Sequence, residues 1–548
     1  MSEAAAVVEG EHNAFSHRQI QVIFTGVMLG MLLAAMDQTI VATALPTIAG
    51  DLGGLSHLSW VITAYLLAST VTTPIWGKFS DLYGRKTVYQ TAIVLFLAGS
   101  ALCGFAHSMN ELIVFRGLQG IGSGGIISGA MSIIGDVLSP RERGRYQGYT
   151  MSVWSFASIS GPAVGGLITE HLSWRWCFYV NLPIGAVALI VTSVVLNLDF
   201  TRVPHRIDWA GAALLVGGIS SVLLVTVWGG GEDGWLSPTI IGLLFGAVAL
   251  IALFVRQEQR APEPILPLRL FRNPTFRQMN ATGFLVAMAM FGTTAYLPLF
   301  LQTVTGIRPT LSGLLLMPQS FSSTIAGIVV GRLVSRTGRY KRYPVVGACL
   351  MPTGLLLLST MNEHTPELLV AAYMVILGTG MGMIVPVMMI GLQNSVQRED
   401  LGTATSSNMF FRNMGGSFGV ALFGSVLTAR LTHYFPLVVP RAAAAPQHHS
   451  ASRIALSPAA IRALPHALRG GLIDAFALSL HAVFLVAGPV ALVTLPILLR
   501  VREIPLRSAA YVRDAARAAL TEVEVGDGDG HPDDSAPGGR APLQAGAR

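Results

Sequence analysis

Long apolar runs alternate with short polar connections along the whole chain. Fourteen of the runs are close to the ~20 residues that cross a bilayer as an α-helix. Membrane barrels instead use segments of ~10 residues with alternating polarity, so the pattern predicts helices. The predicted spans are 20–44, 57–76, 88–106, 110–134, 147–169, 176–198, 208–228, 237–255, 280–302, 312–334, 344–361, 367–391, 404–428 and 474–498.

The composition agrees with that pattern. Of the 548 residues 52% are hydrophobic and only 12% are charged, whereas soluble domains carry about 25% charged residues. The chain is therefore predicted to be an integral membrane protein. The net charge is +7, and the basic residues lie mostly in the short connections. Their distribution therefore indicates the membrane topology and no nucleic-acid partner.

The basic residues also predict orientation. The connections on one side carry 19 Lys and Arg and those on the other side carry 7, and the richer side is cytoplasmic by the positive-inside rule. We expect a multi-pass protein of the plasma (inner) membrane with a cytoplasmic N-terminus (1–19). The tail (500–548) is also expected in the cytoplasm, and its Gly, Asp and Pro content predicts disorder.

Two stretches indicate an internal duplication. GKFSDLYGRKT (77–87) recurs as GRLVSRTGRYK (331–341), with Ser335 at the position of Asp81. We predict an all-α fold of two six-helix bundles, 20–199 and 279–499, the second including an extracytoplasmic loop (429–473). A two-helix insertion with a cytoplasmic connector (200–278) separates them. Carriers built from parallel repeats bind substrate near the midplane between the halves, so we expect the substrate site there.

The first run contains a single acid, Asp37. A carboxylate facing lipid is costly, so acids inside membrane spans face protein or water and mark functional sites by default. Arg116, in the fourth run, lies at a similar depth and needs a partner. We predict that Asp37 and Arg116 couple transport to protons. The alternative is a static ion pair.

Two glycine-containing motifs are candidates for moving parts. The first is expected to form a cytoplasmic gate in which Asp81 lies at the N-terminus of the helix that begins near Leu401; the alternative is a solvated turn. The second is expected to act as a hinge in the fifth helix, or simply to allow close packing. The gate residues are Gly77, Asp81, Gly84, Arg85 and Lys86, and the hinge residues are Gly161, Pro162, Gly165 and Gly166.

Aromatic, thioether and polar residues in four spans could line a cavity for lipophilic ligands, although each could equally be ordinary core. They are Trp60, Tyr65, Phe291, Tyr296, Gln302, Met317, Asn408 and Arg412. The sequence contains no phosphate-binding loop, metal-ligand spacing or catalytic constellation. We therefore expect no enzyme activity and no cofactor, with energy supplied by a proton gradient.

Several motifs resemble the fourteen-helix drug:proton antiporters of the major facilitator superfamily. They are DQTIVATALP (37–46), GKFSDLYGRK (77–86), LIVFRGLQGIG (112–122), SGPAVGG (160–166) with SWRWCFYVNLPIG, and YLPLFLQ (296–302). The resemblance implies a two-bundle, alternating-access fold. It also implies that Asp37 and Arg116 take part in proton coupling, that Asp81 and Arg85 belong to the cytoplasmic gate, and that the motif of the fifth helix marks exporters.

The sequence thus predicts a proton-coupled antiporter that exports lipophilic, often cationic, small molecules, as in multidrug efflux and antibiotic resistance. One alternative is a dedicated exporter of an endogenous lipid, siderophore or amino acid, and a second is a membrane sensor that moves no ligand. The expected partners are small-molecule substrates and the lipid bilayer. An outer-envelope partner is left open.

Overall fold

The computed structural model describes residues 17–53, 57–137, 140–196, 208–229, 236–262, 264–266, 268–397, 400–438 and 466–503. Those residues form helices and connections without a strand. The helices are α1 (His17–Leu52), α2 (Leu58–Tyr83), α3 (Arg85–Phe105), α4 (Met109–Val137), α5 (Pro140–His171), α6 (Trp176–Tyr179), α7 (Asn181–Val195), α8 (Trp209–Gly229), α9 (Pro238–Glu258), α10 (Pro274–Thr303), α11 (Pro309–Thr337), α12 (Arg342–Leu358), α13 (Glu367–Ser395), α14 (Leu401–Val438), α15 (His466–Leu492) and α16 (Thr494–Arg500).

Within the described ranges, eleven helical segments are long and apolar enough to cross a membrane. Leu58–Thr73 and Arg342–Leu358 are shorter apolar helices. The predicted class, an all-helical membrane protein, is confirmed. The count of fourteen spans and the domain limits stay predictions.

The N-half (α1–α7) and the C-half (α10–α16) pack through corresponding glycines. In the N-half, a methyl group on Gly99 of α3 would lie 2.7 Å from Cα of Gln119 in α4. In the C-half, a methyl group on Gly354 of α12 would lie 2.9 Å from Cα of Leu377 in α13. Helices approach this closely only where a residue has no side chain, so each half repeats the same contact.

A second pair of glycines repeats in the same way. A Cβ on Gly165 of α5 would lie 2.5 Å from the carbonyl oxygen of Ile40 in α1. Gly419 of α14 lies against the carbonyl of Met288 in α10. The fifth helix of the N-half and its counterpart in the C-half therefore both press their glycines on the first helix of their own half.

The two halves meet on the predicted outer side, where α1 ends. Gln302 of α10 donates from Nε2 to the carbonyl oxygen of Thr43 in α1 at 3.0 Å. Ser320 of α11 donates from Oγ to the carbonyl oxygen of Ser158 in α5 at 2.8 Å. The first bond joins the outer ends of the halves, and the second joins them near the middle of the predicted spans.

The inserted helices α8 and α9 pack beside the junction of the halves. Leu215, Ile219 and Leu223 of α8 are buried with Ala421 of α14, and Trp60 of α2 is packed against this cluster. The insertion therefore contacts both halves through apolar side chains.

The connector after α9 is fastened to the C-half. Arg269 and Asp400, which precedes α14, form a two-pronged ion pair with N–O distances of 2.5 and 3.2 Å. Fork-shaped pairs of this kind fix geometry as well as charge. The connector thus has a defined attachment at the start of α14.

Several predicted helix ends are wrong. Helix α1 continues through Pro46 to Leu52, and α14 continues to Val438. The described parts of the predicted loop 429–473, namely 429–438 and 466–473, are helical. Proline is tolerated within membrane helices because neighbouring groups satisfy the freed carbonyl. The predicted N-terminus up to residue 16, the rest of the loop (439–465) and the tail from 504 lie outside the described residues.

Candidate proton-coupling site

Asp37 lies in the interior of the N-half with no exposed surface. Its Oδ2 accepts a hydrogen bond from Nη1 of Arg116 at 2.6 Å. Its Oδ1 accepts from Nε2 of Gln119 and from Nδ2 of Asn181, each at 2.9 Å. The carboxylate therefore accepts hydrogen bonds from one cationic and two amide donors.

Arg116 is almost equally buried, with 1% of its surface exposed. Besides Asp37, its Nη1 donates to Oε1 of Gln119 at 2.7 Å, and its Nε donates to the carbonyl oxygen of Val61 at 3.2 Å. The guanidinium also lies 4.1 Å from the ring centre of Tyr65, a cation–π distance. The predicted pairing of Asp37 and Arg116 is present, and it is fully hydrogen-bonded.

The site extends to α3 and α7. The amide of Asn181 also donates to Oγ of Ser100 at 2.9 Å, and that hydroxyl donates to the carbonyl oxygen of Phe178 at 2.8 Å. The Oδ1 atom of Asn181 is buried without a hydrogen-bond partner. Five helices, α1, α2, α3, α4 and α7, thus contribute to one polar cluster inside an apolar half.

The sequence reasoning missed Gln119, Asn181 and Ser100. Gln119 follows Arg116 by three residues, so both lie on one face of α4, and Asn181 belongs to the recognised SWRWCFYVNLPIG motif. An amide in an apolar run gives little signal by itself, because structural amides occur there too. The i, i+3 spacing was the one usable indication.

The contacts of this pair depend on the charge of Asp37. Protonating Asp37 would remove the negative charge opposite Arg116 and leave a buried guanidinium without its counter-ion, which is costly. The energetic response would be a rearrangement of the helices that carry the two groups, or entry of water or ligand. A static ion pair would use the same contacts, so geometry alone leaves the role of the pair a prediction.

The predicted gate residues occupy a helix–helix corner. Gly77 and Asp81 belong to the last turns of α2, and Arg85 and Lys86 begin α3. Only Gly84 lies between the helices, with φ +93°, a conformation that side chains disfavour. The two helices therefore extend further into the motif than their predicted ends at 76 and 88, and the chain reverses at Gly84.

Two contacts of the motif are defined. A Cβ on Gly77 would lie 3.3 Å from Oγ of Ser128 in α4. Lys86 donates from Nζ to the carbonyl oxygen of Ser193 in α7 at 2.7 Å. The corner is thus fastened within the N-half.

The side chains of Asp81, Ser335 and Leu401 lie outside the described residues. The latch between Asp81 and the start of α14 consequently stays a prediction. That start already carries the carboxylate of Asp400, fixed by Arg269, and a second acid there would meet like charge.

The motif of α5 faces both halves. Gly161 packs on Thr39 and Gly165 on Ile40, both in α1. On the other face, a methyl group on Gly166 would overlap the carbonyl of Pro309 in α11. The carbonyl of Pro162, within α5, similarly lies against Gly313 of α11. The motif therefore allows close contact between the halves, and a hinge role stays a prediction.

Several of the eight predicted cavity residues are buried in helix contacts in this conformation, and their role in binding a ligand stays a prediction. Four of them, Tyr65, Tyr296, Gln302 and Asn408, are at most 1% exposed. The Tyr296 hydroxyl donates to the carbonyl oxygen of Val420 at 2.7 Å.

Other residues of this set also contact neighbouring helices. Asn408 donates to Oδ1 of Asn280 at 3.3 Å, and Phe291 packs against Gly416. Trp60 belongs to the α8 cluster. Met317 and Arg412 are half-buried. Helix contacts therefore occupy most of the groups that were assigned to ligand.

Across the described residues, no group of three His, Cys, Asp or Glu side chains could hold a metal ion. The chemistry of the site is that of a buried ion pair with amide support. Two helical halves with repeated packing, one of which encloses such a pair, are typical of a multi-pass membrane carrier. A family model described as "Major Facilitator Superfamily" matches residues 27–420. The chain belongs to this superfamily and is a transporter, not an enzyme.

Known relatives agree. The chain is 42% identical over 409 residues to the multidrug transporter protein MdtP of Bacillus subtilis, covering 75% of each chain. It is 35% identical over 483 residues to multidrug resistance protein 3 of the same organism, covering 87% of this chain and 94% of that protein. A solved structure of a bacterial homologue of the lysosomal transporter Spinster, described as inward-facing and unoccupied, superposes with a TM-score of 0.60 at 14% identity. That match covers 90% of this chain and 100% of the other, and it supports the fold alone.

Proposed function

We propose that this transporter is a proton-coupled antiporter that exports lipophilic, often cationic, small molecules across the plasma membrane, with fourteen spans and both termini in the cytoplasm. The observation that carries the proposal is the buried cluster of Asp37, Arg116, Gln119 and Asn181, in which one carboxylate is available to a proton. The names of the two Bacillus relatives support export of drugs. No cofactor is needed when the proton gradient supplies the energy.

The contacts between the halves support alternating access. The halves touch at the predicted outer ends through Gln302 and Thr43, and near the middle of the predicted spans through Ser320 and Ser158. We propose that this conformation opens to the cytoplasm, and that a proton arriving from outside reaches Asp37 after these contacts separate. Substrate then leaves outward while the proton continues inward.

The test is Asp37→Asn in proteoliposomes, with dye efflux and internal pH recorded together. We expect the variant to lose uphill efflux and substrate-driven proton movement, because its amide cannot exchange a proton with water. Glu111→Gln is the matched control: Glu111 is an exposed acid near the start of α4, and this variant should transport normally.

Two results would contradict the proposal. Coupled proton flux in Asp37→Asn would show that the carboxylate is not the coupling group. Wild-type efflux without proton movement would indicate a uniporter. A substrate panel distinguishes multidrug export from the narrower alternative. A dedicated exporter of one endogenous compound would not transport dyes and drugs.

A further inference from the structure

Arg412 in α14 has no hydrogen-bond or ion-pair partner within the described part of the chain. Its side chain is half-buried, and its Nε atom is buried without an acceptor. Buried polar atoms are nearly always paired, so an exception calls for an explanation. A guanidinium offers five N–H donors and keeps its charge in proteins.

The position of Arg412 is deep in the membrane. It lies eight residues into the span Ala404–Tyr434, or about 12 Å from the predicted cytoplasmic end at ~1.5 Å per residue. It follows Asn408 by one helical turn, on the face of α14 that packs against α10 through Asn280 and Phe284. The cation is therefore directed into the C-half and away from the polar headgroups.

The described long helices of the C-half place no acid at this depth. Helices α10, α11, α12 and α14 contain no Asp or Glu. The acids on the remaining long helices are Glu367, the first residue of α13, and Asp474, which is exposed near the beginning of α15. An unpaired charge at membrane depth is costly and marks a functional site by default.

Arg116 shows that this fold does not leave every arginine inside the membrane unpaired. It is satisfied by Asp37, Gln119 and the carbonyl of Val61. The same protein thus pairs one membrane arginine completely and leaves the other with free donors. The difference is explained if the partner of Arg412 is supplied from outside the chain.

We propose that Arg412 binds an acidic group of the transported molecule, so that the carrier accepts lipophilic carboxylates, sulfonates and zwitterions. The turn of α14 that follows Arg412 is flanked by aromatic rings, since Phe291 packs on Gly416 and Phe284 contacts Phe418, and such rings offer apolar surface to a lipophilic molecule. A carboxylate can take a forked pair of hydrogen bonds from a guanidinium. The proposal rests on the proposed export function and narrows its substrate class.

The test compares a rhodamine methyl ester with its parent carboxylate, which share one ring system. Binding is measured by dye fluorescence polarisation on purified protein in detergent, and transport is measured in proteoliposomes. Wild type should bind and export the carboxylate. Arg412→Gln should weaken carboxylate binding about 10- to 100-fold, the loss expected for a hydrogen-bonded charge pair, with little change for the ester.

Two further variants separate recognition from folding. Arg412→Lys keeps the charge but not the fork, so carboxylate binding should fall less than in Arg412→Gln. Arg430→Gln removes an exposed arginine of the same helix and should bind both dyes like wild type. Equal loss of both dyes in Arg412→Gln and Arg412→Lys would show a structural arginine and overturn the proposal, as would wild type that binds the ester but not the carboxylate.

The binding assay needs no gradient, so it is independent of proton coupling. Selective, Arg412-dependent carboxylate binding without proton-driven transport would contradict antiport and retain this inference. Coupled transport of the ester with no selective binding of the carboxylate would retain antiport and overturn this inference.

Discussion

The N-half and the C-half share their packing but not their chemistry. Gly99 on Gln119 and Gly354 on Leu377 are the same helix contact. At this contact the N-half buries an amide that binds Asp37, and the C-half buries a leucine. The sequence repeat likewise sets Asp37 against Ala289, which is 1% exposed. Close packing therefore requires glycine in both halves, whereas the buried charged cluster is present in one.

The arginines extend the comparison. In the N-half, Arg116 has three hydrogen-bond acceptors and an aromatic face. In the C-half, Arg412 has no partner among the described residues. A closed ion pair in one half suits a proton, and open donors in the other suit a ligand. The two halves thus divide the roles of energy coupling and recognition in the mechanism we propose.

The largest expected effect comes from making the N-half as apolar as its counterpart. Gln119 corresponds to Leu377 in the C-half. Arg116 stands three residues before Gln119, and the residue three before Leu377 is the buried Met374. Arg116→Met leaves the Asp37 carboxylate buried and uncompensated, which should cost about 3–5 kcal/mol. Denaturant unfolding in detergent at neutral pH measures this loss.

A double variant completes the exchange. Asp37→Ala with Arg116→Met removes both charges, so it should be more stable than Arg116→Met alone while lacking coupled proton flux. If both variants unfold at the same denaturant concentration, the ion pair is not the main source of the cost, and the contrast between the halves weakens.

The second-largest expected effect comes from exchanging the residues at the corresponding positions Gln119 and Leu377. Gln119→Leu copies Leu377 and removes a 2.9 Å hydrogen bond to Asp37, which should cost about 1.5–3 kcal/mol because the acceptor is charged. It should also reduce proton flux per transported dye. Leu377→Gln buries an unpaired amide and should destabilise by about 1–3 kcal/mol with the proton-to-dye ratio unchanged. Loss of coupling in both variants would show that packing, and not the amide of Gln119, sets the ratio.

How much of this could be predicted follows from the chemistry of each residue. Asp37 and Arg116 stand out in sequence because lone charges in apolar runs are rare and need partners. Gln119 and Asn181 do not stand out, since structural amides such as Asn280 and Asn408 look the same along the chain.

The cavity residues stay a prediction for a related physical reason. Aromatic and polar side chains serve helix packing as readily as ligands, and only the contacts of Tyr296 and Gln302 distinguish the two uses. The helix ends failed because hydropathy marks the part of a helix inside lipid. Helix α14 continues beyond its predicted end at 428 to Val438.

The smallest expected effect concerns another contact between the halves, made by Glu170. Glu170 of α5 accepts from the backbone N–H of Thr310 in α11 at 3.2 Å and lies 3.6 Å from Nη1 of Arg308. Hydrogen bonding from Thr310, with help from His171 and Arg308, holds the pKa of Glu170 below its ordinary value of 4.5. A carboxyl with a lowered pKa stabilises the contact fully above that ordinary value, and the contribution is lost as the pH falls through the lowered pKa.

Because Arg308 is 79% exposed, Glu170→Gln should weaken the outer contact by at most about 1 kcal/mol. Spin labels at His107 and Glu363, exposed positions on the predicted outer side of the two halves, would report a larger separated fraction in Glu170→Gln at neutral pH. Wild type should approach the variant only below pH 4.5, the ordinary value, whereas Glu111→Gln should follow wild type. The separated fraction could instead rise between neutral pH and that value, equally in wild type and in Glu170→Gln. This result would assign the pH response to another group. The carboxylate that joins the halves would then be excluded as the sensor, and Asp37, inside one half, would be the group to vary next.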